Sequence, residues 1–165
     1  MPIAGSTTKS PNAPKTPHAR ETKLLTSWRE NPALAIQQAL LDPYNRATGF
    51  HVVPTRQQQE ATEAVRQFVH AKMAVHKGTA TVDEQTLARK IGVSIQSGKG
   101  TGKDAWLSWM ILWFLSLFPY PKIPCVSVSA DQLHKVLWSE IAKWLEHSAF
   151  RSWLTMQNDK LFFNQ

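Results

Sequence analysis

The sequence predicts an α/β fold with an N-terminal tail outside it. Three observations carry that expectation. The alternating apolar run Ile91, Val93, Ile95 reads as a strand and enters a glycine-dense corner. A long apolar helix pattern begins directly after the corner, at Lys103. A second extended apolar segment, residues 125–129, is again followed by a helix pattern. Strands alternating with helices predict a sheet covered by helices, here an incomplete three-layer sandwich.

The corner is Ser97-Gly98-Lys99-Gly100-Thr101-Gly102-Lys103-Asp104. Glycines let backbone N–H groups turn inward toward an anion, and the positive end of the following helix dipole points at the same place. Lys103 adds a point charge for the outer phosphates of a phosphate chain. The stretch fits G-x-x-x-x-G-K-[ST] except that Ser97 stands for the first glycine and Asp104 for the Mg²⁺-binding hydroxyl. A dinucleotide fingerprint would need glycine at 103, where Lys103 stands, so that reading is set aside.

A chain of 165 residues with 42% apolar content fits one domain with a core. Its formal charge of +7 favours polyanionic partners. The single cysteine, Cys125, allows no internal disulfide, and no His/Cys cluster has metal-ligand spacing. The N-terminus has no apolar signal core, and residues 105–118 fall short of a membrane span.

Residues 1–23 are expected to be a disordered basic tail. They are rich in Pro, Ser and Thr, with Lys9, Lys15, Arg20 and Lys23 against Glu21. Residues 24–48 form an N-terminal helical segment. Its helix runs in two pieces, with Asn31 and Pro32 starting the second and Asp42-Pro43 ending it; residues 43–49 are loop. Residues 49–165 form the remaining domain. It opens on an extended piece at 50–53 and a helix from Pro54-Thr55 to about Val75. The first turn of that helix carries Gln57, Gln58 and Gln59, and a glutamine amide can donate to and accept from the edge of an adenine.

Thr81-Val-Asp-Glu84 mimics the hydrophobic-Asp-Glu end of a Walker B strand. It is rejected: no buried strand precedes it, and its acids suit a helix N-terminus. The apolar pattern of residues 103–118 runs nearly all round a helix, which must be buried or meet a partner on its second face. A helix through Glu146 follows the second strand. Two short extended pieces, 150–154 and 160–163, flank a turn at Gln157-Asn158-Asp159.

From about Trp28 onward the chain resembles the N-terminal ATPase part of phage terminase large subunits. The likeness rests on an ordered set: Trp28-Arg-Glu-Asn-Pro32 before a helix, Pro54-Thr-Arg-Gln-Gln-Gln-Glu60, the loop ending in Lys103, and Val126-Ser-Val-Ser-Ala130 before Leu137-Trp-Ser-Glu-Ile141. The resemblance implies a P-loop NTPase of RecA/terminase type that binds ATP and Mg²⁺. The backbone of 97–102 would wrap the phosphates and Lys103 would contact the outer ones. Gln57 or Gln58 would read adenine. Asp104 would either hold the metal or weaken binding by its charge. Implied partners are double-stranded DNA, a small terminase subunit and a capsid portal, in the cytoplasm of a host bacterium, with a homo-oligomer in the full motor.

No strand ending in acids follows Asp104, and a motor needs one. The resemblance is therefore to the front of a terminase, with no ATPase turnover expected from these residues alone. Alternatives are another P-loop NTPase such as a helicase, or a non-catalytic nucleotide- or nucleic-acid-binding remnant.

Overall fold

The computed structural model describes residues 18–96, 98, 100–127, 129–157 and 160–164. Helix α1 spans His18–Glu30. Asn31 then caps the next helix, its side-chain oxygen accepting from Leu34 N at 3.1 Å, with Pro32 in the first turn, where its missing N–H costs nothing. Helix α2 covers residues 32–48. It comprises Pro32–Ala35, a π-wide stretch Ile36–Leu41 and Asp42–Thr48.

The wide turn explains how α2 passes Pro43. Proline lacks an N–H and its ring crowds the carbonyl four residues back. That carbonyl belongs to Ala39, and it accepts instead from Ala149 N at 2.8 Å. Asp42 N reaches back five residues, to Gln37 O. The helix thus continues where the Asp42-Pro43 step predicts its end. The extended residues after it are held by a side chain: Asn45 donates to Val52 O and accepts from Val52 N.

Helix α3, Arg56–Lys77, starts on a capping box in which Thr55 and Gln58 satisfy each other's backbone N–H groups. Helix α4, Val82–Ala88, starts on a second box, Thr81 with Glu84. Thr81-Val-Asp-Glu84 is therefore a helix start, as the sequence predicts. Helix α5 is Lys103–Leu117, and α6 covers residues 130–146 with its own π-wide stretch, Leu133–Trp138. Strands β1, Leu154–Gln157, and β2, Lys160–Phe163, form an antiparallel hairpin in the register Leu154 to Phe163 and Gln157 to Lys160.

The core sits around α5, whose apolar residues are covered by α1, α2 and α6 together. Leu40, Leu112 and Ile141 are fully buried, each contributing about 1.5–3 kcal/mol of burial. Trp113 donates its indole N–H to Trp28 O at 2.8 Å, tying α5 to α1. Trp109 meets Trp144 of α6 edge to face at 5.2 Å. Apolar residues all round α5 are accounted for by helices on several sides.

This architecture corrects the expected fold. The chain is mostly helical and its described strands form one two-stranded antiparallel sheet, so it is not a three-layer α/β P-loop sandwich. Residues 91–96 are extended but join no sheet, and neither do 125–127. Their alternation is real, but neither segment is covered as a sheet strand would be: Ile91 is fully exposed and Val126 is 90% exposed, while only Cys125 packs against the core. A parallel strand needs at least one paired edge and cover on both faces. Here the apolar surface is buried helix on helix instead. The tail is corrected in part as well, since His18 to Lys23 lie in α1; residues 1–17 are outside the described set.

Candidate functional site

An open cavity of about 400 Å³ lies where the start of α3 meets the glycine loop and the start of α5. Gln57 and Gln58 line it from one side, and Thr101, Lys103 and Asp104 from the other. The two groups are more than forty residues apart in sequence, and the fold brings them to one place. Ala61, Val65, Leu107 and Trp106 supply apolar wall, with Val93 and Ile95 from the extended segment before the loop.

The two glutamines have different situations. Gln58 is buried and bonded at both ends of its amide. Its oxygen accepts from Thr55 N at 2.8 Å, and its amide nitrogen donates to Gly102 O at 2.9 Å. Gln57 is exposed at the cavity. Sequence alone leaves the two glutamines equivalent; in the fold Gln58 holds the Thr55 and Gly102 backbone, while Gln57 is exposed at the cavity.

Gly102 closes the loop. It lies at φ +74°, and a Cβ there would stand 2.7 Å from the Gln58 amide nitrogen. The positive φ favours glycine at that corner, and a Cβ would have to displace the Gln58 amide. Gly102 is also the N-cap of α5 and offers no side chain to its first turn, so the leading N–H groups are not capped by a side chain. Lys103 Nζ donates to Gly98 O at 3.0 Å, and Thr101 Oγ1 donates to the same carbonyl at 3.1 Å. The loop is thus closed on itself around Gly98. Gly100, at φ +78°, makes its turn. The expectations at Ser97 and Lys99 lie outside the described residues.

Asp104 is exposed on the first turn of α5, beside Lys103 and on the same cavity. It is a hard oxygen donor next to Thr101. One carboxylate of this kind, completed by phosphate oxygens and water, suits Mg²⁺.

Two residues that fix the geometry carry no motif signal. Trp106 donates its indole N–H to Thr62 Oγ1 at 2.9 Å, and Thr62 donates that hydroxyl to Gln58 O at 2.7 Å. With Gln58 and Gly102 they pin α3 to α5 on either side of the cavity. The available signal was spacing: Gln58, Ala61, Thr62 and Val65 share one face of α3. Among the described residues no group of three or more His, Cys, Asp or Glu side chains gathers as a metal site, and no helix is long and apolar enough to cross a membrane.

Compared with known proteins, the chain matches no family, no curated protein and no solved structure.

Proposed function

We propose that this cavity binds ATP, and that the chain is the ATP-binding N-terminal portion of a phage terminase large subunit, the motor that packages viral DNA. The observation that carries the binding proposal is the convergence of Gln57 with Thr101, Lys103 and Asp104 on one cavity. The phosphates would lie against the loop and the uncapped start of α5, neutralised by Lys103. The base would lie between the apolar walls with its edge at Gln57. Asp104 would hold Mg²⁺, which when bound neutralises the outer phosphates. The motor role, with duplex DNA, a small subunit and a portal as partners, rests on the resemblance of the ordered motifs. It does not rest on the sheet that the fold lacks.

A nucleotide-binding module without turnover is the second reading. Among the described residues Asp104 is the sole acidic side chain lining the cavity, and in-line hydrolysis also needs a group to orient the attacking water.

Equilibrium binding of ATP and GTP, with and without Mg²⁺, tests the proposal by isothermal titration calorimetry. ATP is expected to bind, Lys103→Ala to abolish binding, and Gln57→Ala to erase the preference for ATP over GTP. Absence of any ATP binding at millimolar concentration in either metal condition would sink it. Asp104→Ala, which leaves no oxygen ligand, separates the two roles of the carboxylate: affinity that no longer depends on Mg²⁺ makes it a ligand, and tighter metal-free binding makes it a repulsive charge.

A further inference from the structure

A second cavity, of about 440 Å³, lies away from the glycine loop, between residues 121–125 and strand β2. Its walls are two extended pieces of chain. Pro121, Ile123 and Cys125 line one wall, while Lys122 and Pro124 between them face solvent more openly, the alternation of a strand. Yet this piece belongs to no sheet. The other wall is β2, through Leu161 and Phe162. As half of a two-stranded sheet, β2 pairs with β1 on one edge and leaves its other edge unpaired among the described strands. Unpaired strand edges above an apolar floor are a template for another strand.

The charge of the lining describes what would fit. Lys122 and Lys160 are the charged residues of the lining, and both are exposed. A second copy of this chain offering its own β2 would bring Lys160 toward these lysines, which repel it.

We propose that this groove takes up an extended peptide strand of a partner protein, apolar at alternate positions and carrying acidic residues at its ends. Backbone hydrogen bonds to β2 and to residues 121–125 would hold it. The alternate side chains would fill the apolar floor, and the acids would meet Lys122 and Lys160.

Cys125 reports directly, because it lines the groove and is the only cysteine of the chain. The probe is a capped Glu-Val-Thr-Val-Thr-Val-Glu peptide, with the Lys-ended version as control, and the readout is the rate of Cys125 alkylation by iodoacetamide on the full chain. The acidic peptide is expected to slow alkylation roughly tenfold at about ten times its Kd. The Lys-ended peptide should leave the rate unchanged. A Lys122→Glu, Lys160→Glu double variant should reverse the preference. Protection by neither peptide, equal protection by both, or protection surviving the charge reversal would overturn the proposal. Protection that grows with protein concentration alone would also overturn it, and would assign the groove to a second copy.

Discussion

Gln58 Nε2 donates to Gly102 O across 2.9 Å, joining the first turn of α3 to the residue that starts α5. One side chain thereby completes the capping box of one helix and fixes the corner of the next. Gln58→Ala leaves the Gly102 carbonyl and Thr55 N without these partners. It is expected to cost about 1–3 kcal/mol in urea unfolding. Gln58→Glu keeps the acceptor for Thr55 but loses the donor to Gly102, so it should recover only part of the loss. Full recovery would show that the bond to Gly102 is idle.

Gly102→Ala is expected to cost more than an ordinary glycine-to-alanine change. The residue lies at φ +74°, and the new methyl would meet the Gln58 amide at 2.7 Å. The strain of the backbone alone is about 1–2 kcal/mol. Combining it with Gln58→Ala relieves the contact, so the double variant should be less destabilised than the sum of the singles. Strict additivity in a double-mutant cycle would refute the contact.

Pro43 keeps the Ala39 carbonyl open for Ala149 N. Pro43→Ala supplies an N–H that competes for that carbonyl. Hydrogen exchange at the Ala149 amide should accelerate, and global stability should fall by about 0.4–1 kcal/mol as the unfolded chain gains freedom. Unchanged exchange at Ala149 would show that the proline is incidental.

The Glu63 carboxyl is held at about 2, below its ordinary 4.5, mainly by the hydrogen bond from Arg66 and then by that from Gln67. The folded state therefore binds this proton less tightly than the unfolded one. The stabilisation is complete above about pH 4.5 and is lost as the pH falls toward about 2. Both side chains are partly exposed, 48% for Glu63 and 38% for Arg66, so solvent screening limits the effect to about 0.5 kcal/mol. Glu63→Gln should lower stability by that amount at pH 7 and by nothing at the acid end, with the difference shrinking in high salt. A variant equally destabilised at both ends would point to a packing effect instead.

Much of the helical structure was legible in the sequence. Asn31-Pro32, Thr55 with Gln58, and Thr81 with Glu84 are capping signals that act locally, and each marks a helix start where it stands. The all-round apolar pattern after Lys103 correctly announced a buried helix. The sheet was misread because alternation at Ile91, Val93 and Ile95 reports only local conformation. Whether a strand pairs depends on distant chain, and no described strand lies beside this one. Pro43 was misread for a related reason: the acceptor it frees is satisfied by Ala149, over a hundred residues on. At the site, Lys103, Asp104 and both glutamines were legible as chemistry, and the fold gathers them on one cavity. The engagement of Gln58 with Gly102 was not, because it depends on a contact across forty-four residues.

The Lys103 ammonium rests on the carbonyl of Gly98, within the loop that its charge would serve. The loop therefore carries its own competing acceptor. The ammonium has three N–H donors and gives one to Gly98, so under the proposed function a phosphate chain would share the lysine with that carbonyl. Under the proposed function, a polyphosphate that offers the remaining donors several oxygens at once would compete for them better than a weak acceptor such as chloride.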